Sequence, residues 1–298
     1  MSVERLNYFN EIIDKNNIGN IIYSCDMLRL KFVCNKLDFN NYMNSLCFNN
    51  VNYKYYQSLA YFKYRHIWII DMGISTITIG YSLNSGKSKF NGEYGFVEFN
   101  PNKCIIDKDK FFQFYNTLAY CFKYVEIVSY DIAIDLPVAR SRACLQRFGK
   151  KTYITISKDY ANNDLTEYLG KIHNKGTTKL YNKTIEQKLV YELTRYEFTF
   201  DSFKVEELQE TMPNILIDKH YNKFDITGLS STERVLLNYL LNDKYFNMNF
   251  NLLSRAMKKK LKPYIEDSKI IFTPNFKIIM QILTNMRDIF EKDIYVKK

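Results

Sequence analysis

Apolar and polar positions alternate with a period of two through much of the first two thirds of the chain, in short runs rich in Val, Ile, Thr, Tyr and Phe. Asn, Gly and Lys clusters separate the runs. The alternation predicts strands at 22–33, 66–71, 76–81, 94–100, 127–135, 152–157, 167–172, 177–183 and 192–200, with a hairpin turn at 84–86. Helical spacing interrupts it twice. One predicted helix covers 39–46, with Asp38 placed to cap it, and another covers 108–123, where Phe111, Phe112, Tyr115, Leu118 and Phe122 form one apolar stripe. The pattern is that of an α+β fold in which helices flank an antiparallel sheet.

Beyond Phe200 the period changes. Ser230 and Glu233 have the spacing of a capping box and open a helical run with Val235, Leu236, Tyr239 and Leu240 on one side. Helical spacing continues at 251–262, which carries Lys258, Lys259, Lys260 and Lys262, and at 274–292, with an apolar stripe through Ile278, Ile282, Met286 and Ile289. Pro263 and Pro274 punctuate these segments. The expected division is a sheet-based domain at 1–205 and a helical C-terminal region at 206–298.

Composition narrows the function. The 298 residues carry 42 Lys+Arg against 32 Asp+Glu, a formal charge of +10, and 46% of them are apolar, which excludes a disordered chain. Such an excess of cations favours a polyanionic partner, nucleic acid before a membrane surface. No cysteine pair has zinc-ligand spacing and the three histidines are scattered, so a sequence-local zinc site is not expected. The first residues lack the layout of an export signal, and no apolar run approaches the ~18 residues of a membrane span, so a cytoplasmic protein without membrane partners is expected.

Dividing each strand into faces brings out the chemistry. In 127–135, Ser129, Asp131, Ala133 and Asp135 share one face. Glu98 and Asn100 share a face in the strand before, and Arg195, Glu197 and Thr199 do so in a later one. In 177–183, Lys179, Tyr181 and Lys183 align, placing a tyrosine between two lysines ~7 Å to either side along a strand. Such cations favour a phenolate and can hold a phosphate. Asp26 falls on a face with Leu28, Leu30 and Phe32, where a carboxylate is costly unless paired or bound to metal. Asp131 and Asp135, ~13 Å apart on an unbent strand, cannot ligate one ion together, and Asp131 is the better candidate. Each feature also has a plainer reading: a lone strand carboxylate is usually solvated, and a lysine run is usually a solvated helix face.

In chain order, VEFNPNK at 97–103, YDIAIDLP at 130–137, YLG at 168–170 with TTKLYNKTIE at 177–186, and TRYEFTF at 194–200 resemble successive blocks of the replication initiation factor family, Rep_trans. Its members include initiators of rolling-circle plasmids and related relaxases of conjugative elements. Asp26 in SCDMLRLKF suits the family's first block, and ERVLLNYLLND suits its C-terminal helices.

The resemblance implies an origin-specific, metal-dependent DNA nickase and strand transferase. Tyr181 would attack a phosphodiester to give a 5′-phosphotyrosine and a 3′-OH primer. Lys183 would neutralise phosphate charge and Glu186 would activate water or orient the site. Asp131 and Glu98, with Asp26 as a third, would hold Mg²⁺ or Mn²⁺, while Asn100, Asp135, Lys179, Arg195 and Glu197 would support the site or bind DNA. The wider HUH nickases hold their metal with a histidine pair that this chain lacks; carboxylates replacing it favour a hard cation. The implied partners are a double-stranded origin with a single-stranded nick site, a second copy of the chain and a host helicase, and the C-terminal helices would supply origin recognition or dimer contacts. A relaxase with the same chemistry and a DNA-binding protein without catalysis are the alternatives.

Overall fold

The computed structural model describes residues 9–13, 19–34, 36–48, 52–57, 66–73, 75–82, 93–104, 108–159, 161–162, 164–172, 176–218, 228–242, 246–267 and 269–291. In chain order, β1 (Phe9–Ile13) and the long β2 (Gly19–Cys34) lead into α1 (Lys36–Phe48). The strands β3 (Tyr53–Gln57), β4 (His66–Asp71), β5 (Thr76–Ser82) and β6 (Glu93–Phe99) follow, then α2 (Pro101–Cys104) and α3 (Lys108–Ala119). Next come β7 (Phe122–Leu136), β8 (Ala143–Leu145), β9 (Tyr153–Asp159), β10 (Asp164–Leu169), β11 (Thr178–Asn182), α4 (Lys183–Gln187) and β12 (Thr194–Asp201). The remainder comprises α5 (Leu208–Thr211), β13 (Ile215–Asp218), α6 (Ser231–Asn242), α7 (Phe246–Leu252), α8 (Arg255–Asp267), β14 (Lys269–Phe272) and α9 (Phe276–Phe290).

Eleven strands form one antiparallel sheet in the order β3-β4-β5-β6-β2-β7-β12-β11-β10-β9, with β1 also paired to β2. The expected α+β architecture, an antiparallel sheet flanked by helices, is the one observed. One face is apolar: Tyr23, Leu28, Leu30, Phe32, Tyr130, Ile132, Ile134, Tyr196 and Phe198 are buried there. Helices α1, α3 and α9 cover it. Phe39 of α1 stacks on Phe32 and Tyr81, and Phe290 of α9 meets Phe99, Phe111 and Tyr115. The α9 stripe therefore packs on its own sheet, and Asn275, which caps α9, donates its N–H to the Tyr23 hydroxyl at 3.1 Å. Strands β14, β13 and β8 make a second, three-stranded sheet that shares this core.

Helices α6, α7 and α8 pack around a smaller core of Leu229, Leu237, Leu240, Leu261 and Ile265. The capping box forms as expected, the Ser230 N–H donating to Glu233 at 2.9 Å and the Glu233 N–H returning to the Ser230 hydroxyl at 3.4 Å.

Several expectations shift. The helix predicted over 108–123 stops at Ala119, and Phe122 opens β7, because Phe122, Val125 and Ile127 are carried into the core by a strand. In α6 the inward seam runs through Leu237 and Leu240, leaving Val235 and Tyr239 71% and 59% exposed, since the facing side chains are Leu261 and Ile265. Pro263 lies inside α8 rather than ending it. The turn expected at 84–86 lies outside the described residues. Edge strand β3 escapes the alternation rule because all five of its residues are exposed.

Candidate active site

The site lies on the sheet face opposite the helices, across β11, β12, β7 and β2. Register puts Tyr181 opposite Arg195 and Lys179 opposite Glu197, then Arg195 opposite Asp135 and Thr199 opposite Asp131. Directly opposed residues share a face, so these side chains converge.

The Tyr-Asn-Lys segment explains its own geometry. Strand β11 ends at Asn182, whose side chain accepts the Ile185 N–H at 3.2 Å and so caps α4. Lys183 is thus the first residue of a helix rather than the last of a strand, which corrects the extended spacing expected from alternation. The turn folds its amine back, and Lys183 Nζ donates to the Tyr181 hydroxyl at 3.3 Å. Glu186, one turn on, pairs with Lys183. Lys179 Nζ sits 3.8 Å from the centre of the Tyr181 ring and 3.5 Å from Glu197.

Tyr181 is buried, and its hydroxyl donates to Glu197 Oε1 at 2.6 Å. Burial, then the charge and hydrogen bond of Glu197, push its pKa up, with Glu186 adding to the rise and Arg195 opposing it. The phenol therefore keeps its proton at rest, with an acceptor already in contact.

Arg195 organises the carboxylates. It donates to Asp135 through Nε at 2.5 Å and Nη2 at 2.6 Å, and its Nη1 lies 3.2 Å from Asp26 Oδ2. Its own pKa stays raised despite burial because of Asp135 and Asp26.

Asp26 is the clearest departure from the strand pattern. Alternation places it with Leu28, Leu30 and Phe32 in the core; instead the pairing of β2 with β7 slips between Cys25 and Met27, and Asp26 is the extra residue of a bulge. Inward residues are odd-numbered before the bulge and even-numbered after it, so Asp26 turns to the polar face. The bulge falls where β1 stops covering the edge of β2 and β6 begins. There Asn100 and Asn102 donate to Asp26 Oδ1 at 3.0 and 3.3 Å. Burial would raise the Asp26 pKa, but Arg195, these two amides and Lys183 outweigh it and hold the carboxyl below its ordinary value.

Asp131 differs. Its Oδ1 is buried with no hydrogen-bond partner, while Thr199 bonds the carboxyl. Burial raises its pKa to about 6, and the neighbouring charges of Glu197, Asp26 and Glu98 add to the rise. Glu98 is held by Arg29, whose Nε donates to it at 2.6 Å and whose guanidinium lies 4.9 Å from the centre of the Phe96 ring. Among the described residues no three His, Cys, Asp or Glu side chains are close enough to form a ready-made metal site, so Asp131, Glu98 and Asp26 share a neighbourhood without making a closed ligand set. An orphaned carboxylate oxygen beside further carboxylates nonetheless suits a hard divalent cation.

Sequence reasoning placed Thr199 on the polar face without a role, and missed Arg29 and Asn102. Arg29 was findable as a polar position on the right face of its strand. Asn102 lies in a four-residue helix with no periodicity to mark it.

The arrangement defines a class: an antiparallel sheet carrying a buried tyrosine between a carboxylate acceptor and clustered cations, chemistry suited to phosphoryl transfer. A comparison with protein-family models finds no match, and one with curated proteins finds none. Among solved structures, a rolling circle replication initiator protein from Geobacillus stearothermophilus is similar at a TM-score of 0.39 and 13% identity, over 69% of this chain and 90% of that one. Among the described residues no helix is long and apolar enough to cross a membrane.

Proposed function

We propose that the protein is a DNA nickase and strand transferase that initiates rolling-circle replication, with Tyr181 as its nucleophile. The carrying observation is the Tyr181 hydroxyl itself, bonded to Glu197 and approached by Lys183 within one buried cluster. In this reading the phenolic oxygen forms a bond to phosphorus as its proton passes to Glu197. The phosphorus–O3′ bond breaks, and the leaving oxygen takes a proton from solvent to become the 3′-OH primer. Lys183 and Arg195 offset the charge that builds on the phosphoryl oxygens. The 3′-OH attacking the phosphotyrosine reverses the step and rejoins a strand. Glu186 keeps Lys183 aimed at the reacting oxygen.

Asp131, joined by Glu98 or Asp26, would hold Mg²⁺ or Mn²⁺. Such an ion polarises the scissile phosphate and stabilises the leaving oxygen. Carboxylate ligands favour these metals over one that prefers histidine.

The test mixes purified protein with supercoiled DNA bearing its replicon, with Mn²⁺, Mg²⁺ or EDTA. The expected result is open circles and a denaturant-resistant protein–DNA adduct in metal only. Tyr181→Phe should lose both while still retarding DNA. Nicking that survives Tyr181→Phe rejects the assignment.

A further inference from the structure

Of the carboxylates named above as candidate metal ligands, Asp26 is the one whose oxygens are already engaged. Its Oδ1 accepts the side-chain amides of Asn100 at 3.0 Å and Asn102 at 3.3 Å, and its Oδ2 lies 3.2 Å from Arg195 Nη1. A carboxylate oxygen offers about two lone-pair sites, so Oδ1 is filled. The segment after β6 is built to supply these donors. Asn100 Oδ1 accepts the Lys103 N–H at 3.1 Å, which fixes that amide with its NH₂ group turned to Asp26, and Asn102 reaches the same oxygen from α2. A cradle of N–H groups and a guanidinium suits a carboxylate that keeps its charge for them. A divalent cation entering it would meet donors at Oδ1 and positive charge at Oδ2. Asp131 is placed otherwise, with its Oδ1 buried and accepting no hydrogen bond. Glu98 is intermediate: Arg29 Nε donates to its Oε2 at 2.6 Å, and among the described residues no hydrogen bond reaches its Oε1.

Arg195 shows what Asp26 does instead. Strand pairing sets Arg195 directly opposite Tyr181. Asp135 grips one edge of the guanidinium through Nε and Nη2, and Asp26 holds the remaining nitrogen, so the plane cannot hinge about the Asp135 edge. A guanidinium carries five N–H donors, and these contacts leave some of them for a phosphoryl oxygen beside the Tyr181 hydroxyl. The bulge that turns Asp26 to this face thus brings a second anchor to Arg195.

We propose that Asp26 is a positioning residue that holds Arg195 towards the scissile phosphate and is not a ligand of the divalent ion, which is left to Asp131, with Glu98 the carboxylate open to join it. This role rests on the nickase reading above and departs from the ligand role that the family resemblance implies for Asp26. Mg²⁺ is commonly bound through one or two carboxylates, with water and substrate phosphate completing the shell, so the set without Asp26 is sufficient.

The first test needs no cleavage: full-length protein without DNA is titrated with Mn²⁺, and the free ion is read from its electron paramagnetic resonance signal. Mn²⁺ affinity should fall on the order of tenfold or more in Asp131→Asn, which loses a charged oxygen ligand, and by less than about threefold in Asp26→Asn. Retained Mn²⁺ binding also shows that Asp26→Asn is folded. The second test follows single-turnover adduct formation on supercoiled DNA bearing the replicon, at saturating Mn²⁺. Asp26→Asn should slow this step on the order of tenfold or more while keeping its affinity for the DNA, and further Mn²⁺ should not restore the rate. Made in Arg195→Lys, the same change should cost less than about threefold more, because lysine lacks the fork that Asp26 holds. Mn²⁺ affinity that falls as far in Asp26→Asn as in Asp131→Asn overturns the proposal and leaves the nickase reading standing. So does adduct formation by Asp26→Asn at the parent's rate, or a loss in Arg195→Lys as large as in the parent. A parent protein that forms no adduct rejects the nickase reading and the role of Asp26 with it.

Discussion

At the scale of single residues, Asp131 shows what the site costs the fold. With its orphaned oxygen and its pKa raised to about 6, the carboxyl holds its proton to higher pH in the folded protein than in the unfolded chain, which ionises near the ordinary aspartate value. The native state then binds more protons than the unfolded state between about pH 4 and pH 6, so this residue's contribution to stability falls as pH rises through that window. Asp131→Asn, measured in EDTA, should therefore be more stable than the parent at neutral pH by on the order of 2 kcal/mol, with the advantage shrinking as pH falls from 6 towards 4. Urea unfolding of both proteins across that range checks it, and an advantage independent of pH would locate the gain in packing instead. Asp26 behaves oppositely. Its lowered pKa stabilises the fold above the ordinary aspartate value, and that contribution is lost at more acid pH. Two carboxylates on one face thus differ, Asp26 bound into a network by Arg195 and Asp131 left with one buried oxygen that accepts no hydrogen bond.

Among the elements, β5 and β6 support the site through two glycines. A Cβ at Gly95 would overlap the Phe32 ring and the Gly80 carbonyl oxygen, and one at Gly80 would overlap the Phe96 ring, on which Arg29 rests before reaching Glu98. Gly95→Ala should destabilise the protein by roughly 1 to 3 kcal/mol, because a backbone oxygen cannot swing aside as a side chain can; denaturant titration reads this directly. These close approaches are invisible along the chain, as they depend on which strand lies beside which. The strands themselves were legible, since alternation is a local signal, and so was the face of Tyr181, Arg195 and Glu197. The Asp26 bulge was not, because the slip arises from pairing with β7 and from the gap between β1 and β6. Lys183 does lie beside Tyr181, but not by the extended spacing expected, its reach being set by the Asn182 cap. The buried Arg140–Glu167 pair, at 3.0 Å, was also hidden. Glu167 occupies a core-facing row with Leu180 and Tyr196, and Arg140 together with the Leu145 N–H, which donates to it at 2.7 Å, makes that tolerable.

For the whole molecule, the division of the core in two governs how it opens. The large cluster joins both sheets with α1, α3 and α9, whereas α6, α7 and α8 share a core of five buried residues among those described. Local opening free energy follows buried apolar contact, so the smaller unit should unfold below the global transition. In native-state hydrogen exchange, amides of α6 and α8 should therefore lose protection at lower denaturant than those of β2 and β7, which lie at the centre of the sheet. Residues of α9 should exchange with the sheet despite lying at the far end of the chain, because Met286, Ile289 and Phe290 are buried in the large cluster. If α6 and α8 instead share the denaturant dependence of β2 and β7, the two cores form one cooperative unit, and a change in the packing of α8 is felt at the face that carries Tyr181.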